Sequence, residues 1–504
     1  MAVSFNNIAA NWRVPLFWAE VDSSRAGNPV LDQRAILLGQ KLAAGSAAAD
    51  VPVPVSSLTQ AKALFGTGSM LARMVEKFLA GNTASELWAV PLAEPGAGVA
   101  ATGSILVTGP ATAAGTISLY VAGQIIAIPV ASADSANTIA AAINSAINAA
   151  ADLPVTSTVS TATVTVLSKW KGATGNDITL QHSYGGVLAG EALPTGTGLT
   201  ITAMSGGTSA PSLATAIANL GDEPYEHVAF PFTDSTSLNA IRDQYGFGDS
   251  GRWGWMRQLY GHVWSAIRGT QGALTTFGNA RNDGVISVLG VETSSPTPPW
   301  EWAAAYTAKA ARALLNDPAR PLQTLTLDGV LPARHESRFT LTERNTLLYD
   351  GVATQFVDKS GTVHIDRAVT TYQANSFGQP DDAFLDATTL ATLAAVLREM
   401  KGRITSKFPR HKLANDGTRF GQGQAIVTPK VIKAELVAHY RSLEERGLVE
   451  NADAFKAALI VERSITDPTR VDVLYPPDLV NPLVIFAVVA QFRLQYDRFA
   501  NEVV

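Results

Sequence analysis

The stretch Gly246-Phe247-Gly248-Asp249-Ser250-Gly251 has the G-x-G-x-x-G spacing with which some backbones approach a pyrophosphate. That chemistry needs a strand immediately before the glycines and a helix immediately after them. Residues 239–245 have helical spacing instead, so a nucleotide site is not expected. Within the same stretch, Gly248-Asp249-Ser250-Gly251 would offer Ser250 as a hydrolase nucleophile. The next position is Arg252 rather than glycine, and no matching His and Asp segments stand elsewhere to complete a triad. The segment reads as a loop leading from a helix to Trp253 and Trp255.

The seven histidines (His182, His227, His262, His335, His364, His411, His439) are scattered, and none forms H-E-x-x-H or another close ligand pair. There is no cysteine, which excludes disulfides, thiolate nucleophiles and Cys-ligated zinc. Asp381-Asp382 follows Pro380 and reads as a turn. No metal, no cofactor and no catalysis are expected.

One charge feature stands out. Arg398, Lys401, Arg403, Lys407, Arg410, Lys412 and Arg419 form a basic run in a chain of formal net charge −5. The run could be a solvated helix face. Contact with nucleic-acid phosphates would call for interleaved aromatics, and only Phe408 and Phe420 are present. A complementary acidic protein partner remains, for which charge sets orientation and register more than affinity. No direct nucleic-acid contact is expected.

The elements that would position these residues are those of a large mixed chain. Its 504 residues suggest about three to four domains. Charged residues make up 16%, against about 25% in an average globular chain, which leaves much neutral surface that is cheap to desolvate against other subunits. The N-terminus lacks the basic and apolar regions of a signal peptide. The apolar run 483–490 is far shorter than the about 20 residues of a membrane helix. No export by that route and no membrane contact are expected.

Along the chain, residues 14–21 are β-prone and apolar, with Pro15, Leu16, Phe17 and Trp18 at their centre. They read either as an edge strand of their own domain or as an arm adding to a neighbour's sheet. Strands at 35–39 and 87–90 flank a helix at 69–79, a β–α–β pattern that favours a parallel pair. From 96 to 210 the only charged residues are Asp134, Asp152, Lys169, Lys171, Asp177 and Glu191. This span reads as a β-rich insertion with one helix, in which Ile139, Ile143 and Ile147 repeat every four residues. Helices at 212–220 and 237–245, strands at 227–231 and 285–290, and a helix opened by Pro298-Pro299 restore α/β character. Residues 340–372 contain alternating strands, including one at 363–369; 384–420 read as a helix with a basic tail, 429–446 as a helix and 470–474 as a strand. A long apolar strand follows at 482–494, carrying Leu483, Val484, Ile485, Phe486, Phe492 and Leu494. The fold class expected is a mixed α/β multidomain chain: α/β core, β-rich inserted domain, α+β C-terminal domain and extended β-strand arms at both termini.

Several segments carry a resemblance. They are Val14-Pro15-Leu16-Phe17-Trp18-Ala19-Glu20-Val21-Asp22, Pro296-Thr297-Pro298-Pro299-Trp300-Glu301-Trp302, Leu341-Thr342-Glu343-Arg344-Asn345-Thr346-Leu347-Leu348-Tyr349-Asp350-Gly351, Val369-Thr370-Thr371-Tyr372-Gln373 and Leu385-Asp386. Together with the strand from Asn481 to Leu494 they resemble the contractile bacteriophage tail sheath family of the Mu-like kind, over most of the chain. The resemblance implies an N-terminal linking arm (1–20), a sheath core (21–95 and 211–375), an inserted outer domain (96–210), an inner, tube-facing domain (376–480) and a C-terminal strand arm (481–504). It implies a homo-oligomeric helical sheath, with tail tube, baseplate and tail terminator proteins as partners. The sheath would be assembled in the host cytoplasm and carried in the virion. In that frame the basic residues Arg398, Lys401, Arg403, Lys407, Arg410 and Lys412 are expected to face an acidic tube. The alternatives are the sheath of a phage-tail-like contractile injection system or another virion structural protein.

Overall fold

The computed structural model describes residues 33–494. The expected N-terminal arm, with Pro15, Leu16, Phe17 and Trp18, lies outside the described residues.

The first part of the body is α/β. Arg34–Gln40 (β1) carries the apolar run Ala35–Gly39 and is buried from Ala35 onward. Val53–Pro54 (β2) is a short edge strand. Leu58–Phe65 (α1) and Met70–Gly81 (α2) begin at Ser57 and Ser69, whose side chains accept from the backbone N–H three residues on. These caps satisfy donors that a helix start otherwise leaves unpaired. Glu86–Leu92 (β3) pairs in parallel with β1 over seven residues.

Residues 96–210 build two further sheets. Ala100–Thr108 (β4), Gly115–Val121 (β5), Gln124–Val130 (β6), Ala136–Ala149 (α3), Val155–Ser160 (β7), Thr163–Lys171 (β8), Leu180–His182 (β9) and Gly198–Ser205 (β10) follow in order. One sheet has the order β10-β4-β8-β7 and the other β6-β5-β9. α3 packs on β4, β6, β7 and β8 through buried Ile139, Ile143 and Ile147.

The chain then returns through Ala214–Asn219 (α4), Tyr225–Ala229 (β11), Ser235–Tyr245 (α5), His262–Gly269 (β12), Gln271–Asn279 (α6) and Ile286–Glu292 (β13). These strands complete a six-stranded sheet of order β13-β12-β11-β1-β3-β2. All neighbours are parallel except β2, which lies antiparallel on β3 at the edge, where its Pro54 does not interrupt a ladder. Every residue of β11 and β13 is buried, as befits a parallel sheet covered on both faces. Pro299–Asn316 (α7) starts on a proline, whose missing N–H costs nothing there. It buries Trp300, Trp302 and Tyr306 and packs on α2, β11 and β12. Leu341–Tyr349 (α8), Thr354–Val357 (β14) and Val363–Arg367 (β15) close this part.

Ala387–Lys407 (α9) leads to the last part: Lys412–Leu413 (β16), Ile426–Val427 (β17), Pro429–Glu445 (α10), Ala452–Ala458 (α11), Ile460–Arg463 (β18) and Val471–Leu474 (β19). A separate small core of Val396, Leu436, Tyr440, Leu443 and Phe455 holds it together. Tyr440 and Phe455 stack with ring centres 3.7 Å apart.

The insertion is tied to the core through a buried ionic cluster. Arg73 on α2 is 4% exposed. Its Nε donates to Glu301 Oε1 on α7 at 2.7 Å, while its other nitrogens donate to Ala122 O, Asp152 O and Gln124 Oε1 in the insertion. Glu301 is fully buried, and Lys77 Nζ lies 3.5 Å from its second oxygen. Nearby, buried Gln40 donates to Lys171 O and accepts from Thr174 Oγ1, and Trp170 packs edge-on to Trp300 at 5.9 Å.

The structure departs from expectation in four places. Residues 340–372 contain the helix α8 as well as strands. Thr340 and Glu343 form a capping box, each side chain bonded to the other's backbone N–H, which turns a polar segment into a helix start. β12 carried no clear alternation because His262, Ser265 and Arg268 interrupt it. The 384–420 helix stops at Lys407, since the residue before Pro409 disfavours helical backbone. Residues 482–494, expected as a strand, form no ladder among the described residues. A strand needs a partner's backbone, and none of the described residues supplies one.

Candidate assembly surfaces

The glycine motif lies in the loop after α5, not between a strand and a helix. A groove of about 510 Å³ opens beside it, lined by Arg242, Phe247, Ser250, Asp283, Tyr372 and Phe384 among others, with no histidine in its lining. Arg257 NH1 donates to Ser250 O at 3.0 Å, a contact that fixes the loop. Nothing here activates a serine. Among the described residues, no group of three or more His, Asp or Glu is placed to hold a metal, and no helix is long and apolar enough to cross a membrane.

Two of the histidines are interior. His227 on β11 and His262 on β12 are 4% and 6% exposed. Trp264 Nε1 donates to His227 Nδ1 at 3.3 Å, and His227 Nε2 donates to Gln33 Oε1 at 2.9 Å, so a single neutral tautomer satisfies both bonds. Burial lowers both imidazoles from 6.5 to about 3, reinforced by Arg398 for His227 and by His227 for His262. Between those values the unfolded chain binds more protons than the folded one. Their contribution to stability is complete above pH 6.5 and is lost as pH falls toward 3, by up to about 1.4 kcal/mol per pH unit for each histidine. Glu226, raised by burial against the opposing charge of Arg398, has the opposite sign: its contribution is present below 4.5 and is lost as pH rises through its folded value. Thermal melts from pH 7 to 4 are expected to show a shallower decline in Tm for His227→Gln/His262→Gln than for the parent chain. Parallel pH profiles would rule the histidines out as its source.

The basic run divides in two. Arg398, on α9, donates to Glu226 Oε1 at 3.1 Å and to Leu259 O at 3.0 Å, and lies over the Tyr260 ring. Its charge is engaged inside the chain. Arg403 and Lys407 both bond Glu435 on α10. Burial opposes ionisation of Glu435, but these two cations hold its carboxyl below the ordinary value. Both also keep about half of their own side-chain surface in solvent. Lys401, Arg410, Lys412 and Arg419 are exposed and make no ion pair among the described residues. The last three lie beyond the helix, on the segment around β16. The free positive charge is therefore concentrated at one end of α9 and on the segment after it.

The C-terminal segment presents the opposite character. Leu483, Ile485, Phe486, Val488, Val489, Phe492 and Leu494 are 67–97% exposed. A monomeric soluble chain rarely leaves such a run uncovered. Val484 is half-buried, and Gln323 Nε2 donates to Leu483 O at 3.0 Å. In the same part of the chain, β18 and β19 form a sheet of only two strands, with Ile460, Val473 and Leu474 40–60% exposed. A two-stranded sheet is marginal alone, and its open edges suit an added strand. The sequence reading named β19 but not β18. The closely spaced Ile460-Val461 and Val471–Leu474 pairs, with Pro468 between them, were the available hairpin signal.

Comparison with known proteins gives a consistent result. The family model of the phage tail sheath protein central domain matches residues 206–371, and that of the phage tail sheath C-terminal domain matches residues 379–493. The Mu-like prophage FluMu tail sheath protein of Haemophilus influenzae is 45% identical over 496 residues, 98% of this chain and 100% of that protein. Among solved structures, the sheath tail protein of Desulfitobacterium hafniense aligns at 12% identity and a TM-score of 0.48, covering 94% of this chain and 97% of its own. That of Listeria innocua aligns at 11% and 0.47, covering 89% and 92%. Identity of this order along almost the whole length, with both family domains in order, is decisive: the chain belongs to the phage tail sheath protein family, as a structural component of the virion tail and not an enzyme.

Proposed function

We propose that copies of this chain polymerise helically around the tail tube in an extended, metastable state and contract to drive the tube through the host envelope. A head-to-tail contact between identical subunits that does not close generates a helix of indefinite length. The residues 1–20 and 485–504 would serve as arms, each adding a strand to the β18–β19 hairpin or another open edge of an adjacent copy. Linked in this way, the bodies can pivot between two packings without losing their neighbours. A barrier rather than equilibrium would hold the extended form.

In this reading residues 376–480 line the tube, with Lys401, Arg410, Lys412 and Arg419 toward an acidic tube surface. Residues 96–210 point outward. Baseplate and terminator proteins contact the two ends of the polymer. The observation that carries the reading is the uncovered apolar run at 485–494 in a chain that also holds a hairpin with two open edges.

Negative-stain microscopy of the purified chain tests it. Tubular polymers are expected from the full chain and none from a chain ending at Val484. Polymers of equal yield from the shortened chain would refute the role of the C-terminal arm.

A further inference from the structure

The root of the C-terminal arm is bonded to two separate parts of the body. After β19, Tyr475 packs against Phe455 at 5.0 Å, within the small core built on α10 and α11. Asp478 N donates to Tyr440 Oη at 3.0 Å, and Asp478 O accepts from Glu450 N at 2.9 Å. Asn451 Nδ2 donates to Asp478 Oδ2, Leu479 bridges Val449, and Val480 N reaches Leu448 O. Only a few residues later, Pro482 and Val484 sit half-buried in a crevice lined by Pro321, Leu322 and Arg367, where Gln323 holds the Leu483 carbonyl. The contacts of 475–480 therefore belong to the C-terminal part, and those of 482–484 to the segment after α7, the end of β15 and the start of α9. From Ile485 to Leu494 every residue is exposed.

α9 spans the same two parts: its first half buries Ala387, Leu390 and Ala394, while Val396 belongs to the small C-terminal core, which Ala319 from the segment after α7 also joins.

We infer that residues 475–484 are a strap, with Gln323 as the residue that positions its outer end. Capture of the arm by another copy then pulls on both parts of the body at once and fixes how they are set against each other. The inference rests on the reading of 485–504 as an intersubunit arm. The strap sets where that arm leaves the body, just after Val484.

Hydrogen exchange on the full-length, unassembled chain tests the strap without any polymer. The amides of Asp478 and Val480 are expected to exchange at least about tenfold more slowly than those in 485–494. Gln323→Ala is expected to leave Tm within about 1 °C. In microscopy, Gln323→Ala should still polymerise, since the arm is intact, but with a wider spread of tube diameters than the parent. Exchange at Asp478 and Val480 equal to that in 485–494, or tubes from Gln323→Ala as uniform as the parent's, would overturn the strap. If the chain ending at Val484 polymerised normally, the arm reading would fail instead, whatever the exchange at Asp478 and Val480 showed.

Discussion

Glu301→Ala is expected to destabilise the body by about 3–5 kcal/mol, the range for breaking a buried ion pair by removing one partner. Glu301 has no exposed surface, and its loss leaves Arg73 and Lys77 without their shared counter-charge. Arg73→Met is expected to cost as much by a second route, since Ala122 O and Asp152 O lose their donor while Glu301 keeps only Lys77 at 3.5 Å. The pair Arg73→Met/Glu301→Leu should cost less than Arg73→Met and Glu301→Leu added together, by about 1 kcal/mol or more, because Lys77 is then the one charge of the cluster left without its partner. Urea unfolding midpoints give the stability change. Hydrogen exchange in peptides covering 119–126 and 150–155 shows whether it is the insertion that loosens. A loss below about 1 kcal/mol for Glu301→Ala would mean that this cluster does not hold the insertion to the core.

Phe486→Asp with Phe492→Asp is expected to abolish polymerisation while leaving the single chain as stable as before. Both side chains are more than four-fifths exposed, so their replacement should change folding stability by less than about 0.5 kcal/mol. In a strand-addition contact, each buried aromatic is worth about 2 kcal/mol, and the loss of two weakens association about a thousandfold. Sedimentation of polymer against soluble protein, beside a thermal melt, reads both quantities. Unchanged polymer yield would mean that the apolar run is not the linking element. A drop in Tm would mean that the run packs on its own body.

The same two clusters show how much of the molecule could be read in advance. The parallel strands β1, β3 and β13 were legible because a strand buried on both faces is a short apolar run bounded by turn residues. Helices α2, α3, α7 and α10 announced themselves by spacing and by proline or serine at their starts. β12 was not legible: its buried Ser265 and His262 are polar residues whose surroundings only the tertiary structure supplies. The capping box of α8 was present in the sequence as Thr340-x-x-Glu343, but the polar run after it obscured the helix. The basic run was visible as charge. Which of its members are engaged could not be seen, because Glu226 and Glu435 lie 172 and 28–32 residues away from their partners. The apolar end was visible as a strand-forming sequence, and its exposure, with no ladder among the described residues, only became a finding once the fold was known.

The order of elements in the central sheet has a consequence during synthesis. β1 pairs with β11, about 190 residues further along, so the sheet stays open while the ribosome makes everything between them. The insertion consists of strands and a helix that pair only with one another, and it can fold as a unit during that wait. The exposed apolar residues 485–494 follow every strand and helix among the described residues, so those elements have already been translated when this run emerges.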